Sequence, residues 1–252
     1  MAIPNRREPP ETYLGRGQKV AERVARQIVQ DMVDRRLQPG DVLASEAQML
    51  TWYGVGRASL REALRVLEVN GFISMKPGPG GGPVVARPTP KNFARMATLF
   101  FQFSGATFRE LAYARLEIEP MLARMCADRK DPALIAELRR LDETAQADDN
   151  SGIWVPATSD FHRVIANGCG NRILWLFATG IHDIISDRVA NSAHPQSRRA
   201  DVIHEHEEII QALVDGDGAR AEIKMREHMQ GFVNYLERQH PALLNEVVDW
   251  RW

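Results

Sequence analysis

The sequence predicts a mainly α chain in two parts: an N-terminal winged helix-turn-helix with a small β-hairpin wing, then an all-α helical bundle. Three observations predict it. Within residues 18–87, three stretches of helical periodicity precede two short apolar runs that flank a loop rich in Gly and Pro. A stiff, proline-marked linker, Arg87-Pro88-Thr89-Pro90, follows them. Beyond it, helical periodicity continues to about residue 240 with no convincing strand.

Taken in order, the opening MAIPNRREPPETYLGRG lacks the apolar core of a signal peptide, and residues 1–17 are expected to form a loose arm. Val20, Val24, Ile28 and Met32 recur at helical spacing up to the turn Gln38-Pro39-Gly40, and Asp41-Val42-Leu43 reads as a short extended stretch. Ser45 is an N-cap for a second helix over Glu46–Tyr53, which ends at Gly54. A third helix runs from about Arg57 to Asn70, with Leu60, Leu64 and Leu67 on one face. Phe72–Met75 and Pro83–Ala86 read as the two strands of the hairpin, and Lys76–Gly82 as its loop. This order bounds a winged helix-turn-helix at 18–87 and a linker with a first helix at 88–106. An all-helical domain at 107–240 and a tail at 241–252 follow. Helices are expected near 91–103, 107–129, 131–147, 156–168, 171–190, 196–215 and 217–238. One of the breaks between them falls at Asn150-Ser151-Gly152, and Trp250 and Trp252 in the tail are candidates to dock on a neighbour.

Composition narrows the function. Hydrophobic residues at 44% and charged residues at 26% fit a globular chain, and no apolar run reaches the ~18–20 residues of a membrane span. Cys126 and Cys169 have no metal-ligand spacing and read as reduced packing residues in a cytoplasmic protein. Residues 1–90 hold 13 Lys and Arg against 9 Asp and Glu, whereas the remainder holds 19 against 24. A front half that binds a polyanion and a neutral-to-acidic back half have this asymmetry.

The third helix carries the chemistry of the front half. Arg57, Arg61 and Arg65 fall at i, i+4 and i+8, so they share a face that excludes the leucines. A helix that reads double-stranded operator DNA needs this division, one side on its own domain and the other offering guanidiniums to base edges and phosphates. Ser59 lies near its N-terminal end, Lys76 can add a phosphate contact, and Gly78 and Gly80–Gly82 let the wing backbone approach a minor groove. Alone, the arginine spacing equally fits a solvated face laced by Glu62 and Glu68. Its place between a short helix-turn and a glycine hairpin favours DNA.

These residues carry a resemblance. QPGDVLASEAQMLTWYGVGRASLREALRVLEVNGFISMKPGPGGGPVV resembles the DNA-binding domain of the GntR family of transcriptional regulators. The shared pattern falls on Pro39-Gly40, Leu43, Ser45-Glu46, Val55, Arg57, Arg61-Glu62-Ala63-Leu64-Arg65, Leu67 and Gly71. The resemblance implies that Arg57, Ser59 and Arg61 touch DNA, with Gly78 at the wing. Ala44 stands for the usual proline, Gly56 for the usual serine, and Ala47 for a frequent DNA-contacting arginine. One expected contact is therefore missing.

In the back half, His162, His206 and His228 lie on three different expected helices, from which imidazoles can converge inside a bundle. Sequence spacing alone leaves open whether they do. FRELAYARLEIEP, FHRVIANGCGN and EHEEIIQALVDGDGARAEIKMREHM resemble the FCD-type C-terminal domain of the FadR subgroup of that family. Its pattern falls on Arg115 with Ile118-Glu119, Phe161-His162, Gly170-Asn171, Glu205-His206 and His228. By that resemblance His162, His206 and His228 bind a divalent metal that helps hold a small organic-acid effector. Arg115 and Asn171 are then effector-binding residues, Arg115 because a guanidinium forks onto a carboxylate. The aspartate expected one turn before His162 is Thr158, and Asp160 points to the other side of the helix. Losing a negative ligand disfavours hard ions and leaves zinc or nickel as the fitting metals, the alternative being a metal-free pocket in which the histidines bond an acidic ligand directly.

The combined reading is a homodimeric, cytoplasmic repressor with no membrane partner. Its two recognition helices lie ~34 Å apart on a pseudo-palindrome, and the effector shifts operator affinity by ~1–3 kcal/mol. Two alternatives remain in view. A helical metal-dependent hydrolase using the three histidines, with Glu205 or Glu207 as base, leaves the front half unexplained. A ligand-independent DNA-binding protein leaves the histidines and Arg115 unexplained.

Overall fold

A computed structural model describes residues 16–78, 81–147, 154–189 and 196–249. The arm apart from residues 16 and 17, Gly80, the break at Asn150-Ser151-Gly152, and Trp250 and Trp252 lie outside the described residues. The chain forms two compact units that meet in sequence between Asn92 and Phe93.

In the first unit, α1 (Arg16–Asp34) buries Ala21, Val24, Ala25, Ile28 and Met32, a stripe one helical face wide. It packs on α3 (Arg57–Val69), whose Leu60, Ala63, Leu64 and Leu67 share a core with Met49 of α2 (Glu46–Tyr53). Ser45 caps α2, and Gln48 returns the bond to the Ser45 backbone, so two otherwise unpaired N–H groups are satisfied together. Gly54 ends α2 with φ 62°, a left-handed conformation that favours glycine. The turn from α2 to α3 is fixed from outside by the Tyr53 hydroxyl, which donates to Asp31 of α1 at 2.6 Å.

Strands β1 (Ile73–Lys76) and β2 (Gly82–Val85) pair antiparallel, Ile73 opposite Val85 and Lys76 opposite Gly82. Ile73 and Val85 join the core and fix which face of the hairpin is inward. The extended stretch expected at Asp41–Leu43 lies along the outer side of β2. Leu43 N–H donates to Pro83 O, and Val85 N–H to Asp41 O, both at 2.9 Å.

The second unit contains α4 (Pro90–Ser104, from Phe93), α5 (Phe108–Arg129), α6 (Pro132–Gln146) and α7 (Trp154–Gly168). It continues with α8 (Arg172–Val189), α9 (Arg199–Asp215), α10 (Gly218–Gln239) and the short α11 (Pro241–Leu244). Helix α5 is the central element. It packs along α10 and also meets α7, α8 and α9, burying Leu111, Leu116, Leu122, Ala123 and Cys126. Thr107 and Glu110 form a capping box at its start, and Asp131 and Asp217 cap α6 and α10.

Two features differ from the sequence expectation. Residues 196–198 form a single 3₁₀ turn, and α9 begins at Arg199. Residues 241–249, expected as part of a separate tail, fold onto the bundle because Leu243, Leu244 and Val248 are apolar enough to join its core. Phe108 N–H donates to Glu246 O at 3.1 Å and Val248 N–H to Ala106 O at 2.8 Å, which ties the segment beside the start of α5.

Candidate nucleic-acid interface and candidate metal centre

Helix α3 separates its faces as its sequence dictates. Leu60, Ala63, Leu64 and Leu67 are buried, whereas Arg57, Arg61 and Arg65 are exposed on one side and Ser59 is half-buried. Arg61 is 68% exposed, and its 3.6 Å pairing with Glu46 of α2 is a surface contact. The helix begins at Gly56, whose lack of a side chain leaves the first N–H groups uncapped by its own residue. Lys76 and Gly78 are exposed at the wing, and Gly78 takes φ 97°. Gly81 matters more for the loop than the sequence suggested. A Cβ there would fall 2.2 Å from the Lys76 carbonyl oxygen, so only glycine lets the two strands close.

In the helical unit the three histidines come together. His162 of α7, His206 of α9 and His228 of α10 offer ring nitrogens that all lie within 4.8 Å of one another. Carboxylates hold two of them from behind, and a third carboxylate lies near the other. Glu119 Oε2 stands 2.5 Å from His162 Nδ1, Glu205 Oε2 stands 2.6 Å from His228 Nδ1, and Asp142 Oδ1 lies 3.9 Å from His206 Nδ1. A carboxylate acceptor at Nδ1 fixes the proton there and leaves Nε2 with its lone pair. The Nε2 atoms of His162 and His228 face each other at 3.4 Å. His206 stacks on Phe161 with ring centroids 3.7 Å apart, which fixes its plane.

Arg115, on α5, is buried next to this centre. Its Nε donates to Glu119 Oε1 at 2.5 Å, and its guanidinium lies over the Phe232 ring. Glu119 therefore joins Arg115 to His162. Burial alone would raise the Glu119 carboxyl, but Arg115 and then His162 outweigh it and hold the group well below the usual carboxylate range. Burial pushes His162 below its ordinary value against the pull of Glu119, which favours the neutral ring.

Thr158 is buried one turn before His162. Asp160 is on another side, paired with Arg163 at 2.8 Å, so the helix geometry keeps it from replacing the expected acid. Asn171 has a different place from the one its motif implied. It is exposed, and its Oδ1 accepts from the N–H groups of Ile173 and Leu174 as the cap of α8.

Sequence reasoning passed over His182 of α8, which is buried beside His162 with ring centroids 5.7 Å apart. Burial first, and then Arg115, push it well below its ordinary value and keep it neutral. No motif marks His182, because it sits in a helix whose spacing reads as apolar packing.

Comparisons with known proteins agree with this division. A family described as bacterial regulatory proteins, gntR family, matches residues 20–81, and the FCD domain matches residues 110–231. An HTH-type transcriptional repressor NanR from Shigella sonnei is 30% identical over 198 residues, 76% of this chain and 71% of that protein. The NanR of Edwardsiella tarda is 29% identical over 225 residues, 84% of this chain and 83% of the relative. Among solved structures, Streptococcus agalactiae GntR has a similar fold, with a TM-score of 0.72 at 20% identity over 85% of this chain and 99% of the other.

Proposed function

The chain belongs to the GntR family of bacterial regulators and carries an FCD domain, and on that basis we propose that it is a metal-dependent repressor released or tightened on DNA by a small carboxylate. It is a transcription regulator of this type and not an enzyme, so the three histidines are read as a sensor. The exposed arginine face of α3 supports docking in a major groove, with Arg57, Ser59, Arg61 and Arg65 on the DNA and Lys76 and Gly78 at the wing.

One observation carries the metal. His162 and His228 each present an Nε2 lone pair to the other at 3.4 Å, with both Nδ1 protons committed to carboxylates. Two lone pairs facing at that distance repel unless a shared proton or a metal cation lies between them. Two imidazole nitrogens on a tetrahedral ion at about 2.0–2.1 Å are separated by about 3.3–3.4 Å. With His206 as third ligand the set is nitrogen-only, with Glu119 and Glu205 bonded behind two of its members, which suits zinc or nickel better than a hard ion. Such an ion offers a remaining position to an effector carboxylate, and Arg115, beside Glu119, is the second anchor.

A second copy of the chain is the natural partner. Met96, Leu99, Phe100 and Phe103 form an exposed apolar stripe on α4, with Phe103 95% exposed, and two recognition helices require two chains.

Native mass spectrometry of the purified full chain tests the metal and the subunit count together. One zinc or nickel ion per chain in a dimer, removed by chelator and accompanied by a changed gel shift on operator DNA, is the expected result. A metal-free dimer with all three histidines intact would overturn the metal-dependent reading.

A further inference from the structure

Helix α10 carries a glycine in its interior, Gly231, between His228 and Tyr235. Glycine inside a helix costs roughly 1 kcal/mol relative to alanine. The surroundings of Gly231 show what the missing side chain makes room for. A Cβ there would stand 3.3 Å from Arg198 Nη2 and 3.7 Å from Glu205 Oε1. The first separation is tighter than an ordinary contact, so the guanidinium would have to give way.

Arg198 closes the 3₁₀ turn at 196–198 and immediately precedes α9. It is held at three points. Nη1 donates to Gly231 O at 3.2 Å, the guanidinium lies over the Tyr235 ring at 5.4 Å, and Nη2 faces Glu205 Oε1 at 3.9 Å. The other oxygen of that carboxylate, Oε2, stands 2.6 Å from His228 Nδ1. Arg198, Glu205 and His228 therefore repeat the order of groups in Arg115, Glu119 and His162. The two sets differ in exposure. Arg115 and Glu119 are buried, whereas the side chains of Arg198 and Glu205 are 21% and 28% exposed. Without its guanidinium, Glu205 is free to turn toward water and let the His228 ring go.

We propose that Arg198 is a positioning residue for the metal centre: by fixing Glu205 it sets the orientation of the His228 ring, and position 231 is glycine so that the guanidinium can sit there. The proposal rests on the metal reading above and adds to it the residues that tune the affinity. Groups that orient a metal-bound imidazole commonly change metal affinity by about 10–100-fold. The charge of Arg198 acts in the opposite sense, since a nearby cation disfavours a metal ion, so the direction of the change separates positioning from charge.

Two measurements on the purified full chain test this together: zinc affinity by competition with a chromophoric chelator, and the melting temperature of the zinc-stripped protein. Arg198→Gln and Gly231→Ala should each weaken zinc binding by about tenfold. The stripped Gly231→Ala protein should melt no lower than the wild type, because alanine suits the helix better. The double variant should bind zinc no more weakly than Arg198→Gln alone, since the added methyl then has no guanidinium to displace. Unchanged or tighter zinc binding in either single variant, losses that multiply in the double variant, or a lower melt of stripped Gly231→Ala would overturn the positioning role and leave the metal reading in place. A wild type that binds no zinc would remove both.

Discussion

Arg61 shows how a single side chain divides stability from recognition. Its guanidinium is exposed and its ion pair with Glu46 is a surface contact, so Arg61→Ala should leave folding unchanged while costing roughly 1–3 kcal/mol in operator affinity if the residue reads a base. Gel-shift titration at fixed salt, beside a thermal melt, checks both parts, and unchanged affinity would remove Arg61 from the interface. Cys126 behaves in the opposite way. Burial, reinforced by Cys169, pushes its thiol up to about 12, and its Sγ donates to Ile165 O. The thiol therefore stays protonated at pH 8, and alkylation of the native protein should wait on unfolding. Rapid labelling of folded protein would contradict that. The arginines of α3 were legible because helical spacing alone assigns their face. The convergence of His162, His206 and His228 was not, since three helices far apart in sequence bring them together. His182 and the backing role of Glu119 depend on the same packing, and a Gly-Asn motif could not reveal that Asn171 spends its side chain capping α8.

At the scale of elements, the wing has the sharpest sequence requirement. Gly81→Ala would push a methyl into the Lys76 carbonyl, so the hairpin should open or shift while the α1–α3 core remains. The expected outcome is a native-like melt with weakened operator binding, and full affinity would show that the wing tolerates the change. The cap of α2 is a milder case: Ser45→Ala should cost about 1 kcal/mol, read from chemical denaturation. Helix positions were readable because Gly, Pro and capping residues mark most ends. The start of α9 was misplaced by three residues because a 3₁₀ turn has the same local composition as a first helical turn.

For the whole molecule, two separate cores imply two unfolding events. The winged unit closes around Val24, Ile28, Leu60 and Leu64, and the helical unit around α5 and α10. If an ion is held by His162, His206 and His228, chelation should lower only the helical unit's calorimetric transition, because a ligand stabilises the unit that binds it. Equal shifts in both transitions, or none, would contradict that assignment. The two-part organisation was plain in the sequence, since strand-like runs stop before the Pro-marked linker. The fate of residues 241–249 was not, because a nine-residue stretch with two leucines and two valines looks like any loose end until a bundle is present to receive it.

That folded-back segment has a practical consequence. With Ala106 and Phe108 bonded to Val248 and Glu246, the joint between α4 and α5 is clasped by the segment that follows α11. A cut at residue 240 would undo that clasp and strip Leu243, Leu244 and Val248 from the interior, so any shortened form of this protein should retain everything through Val248.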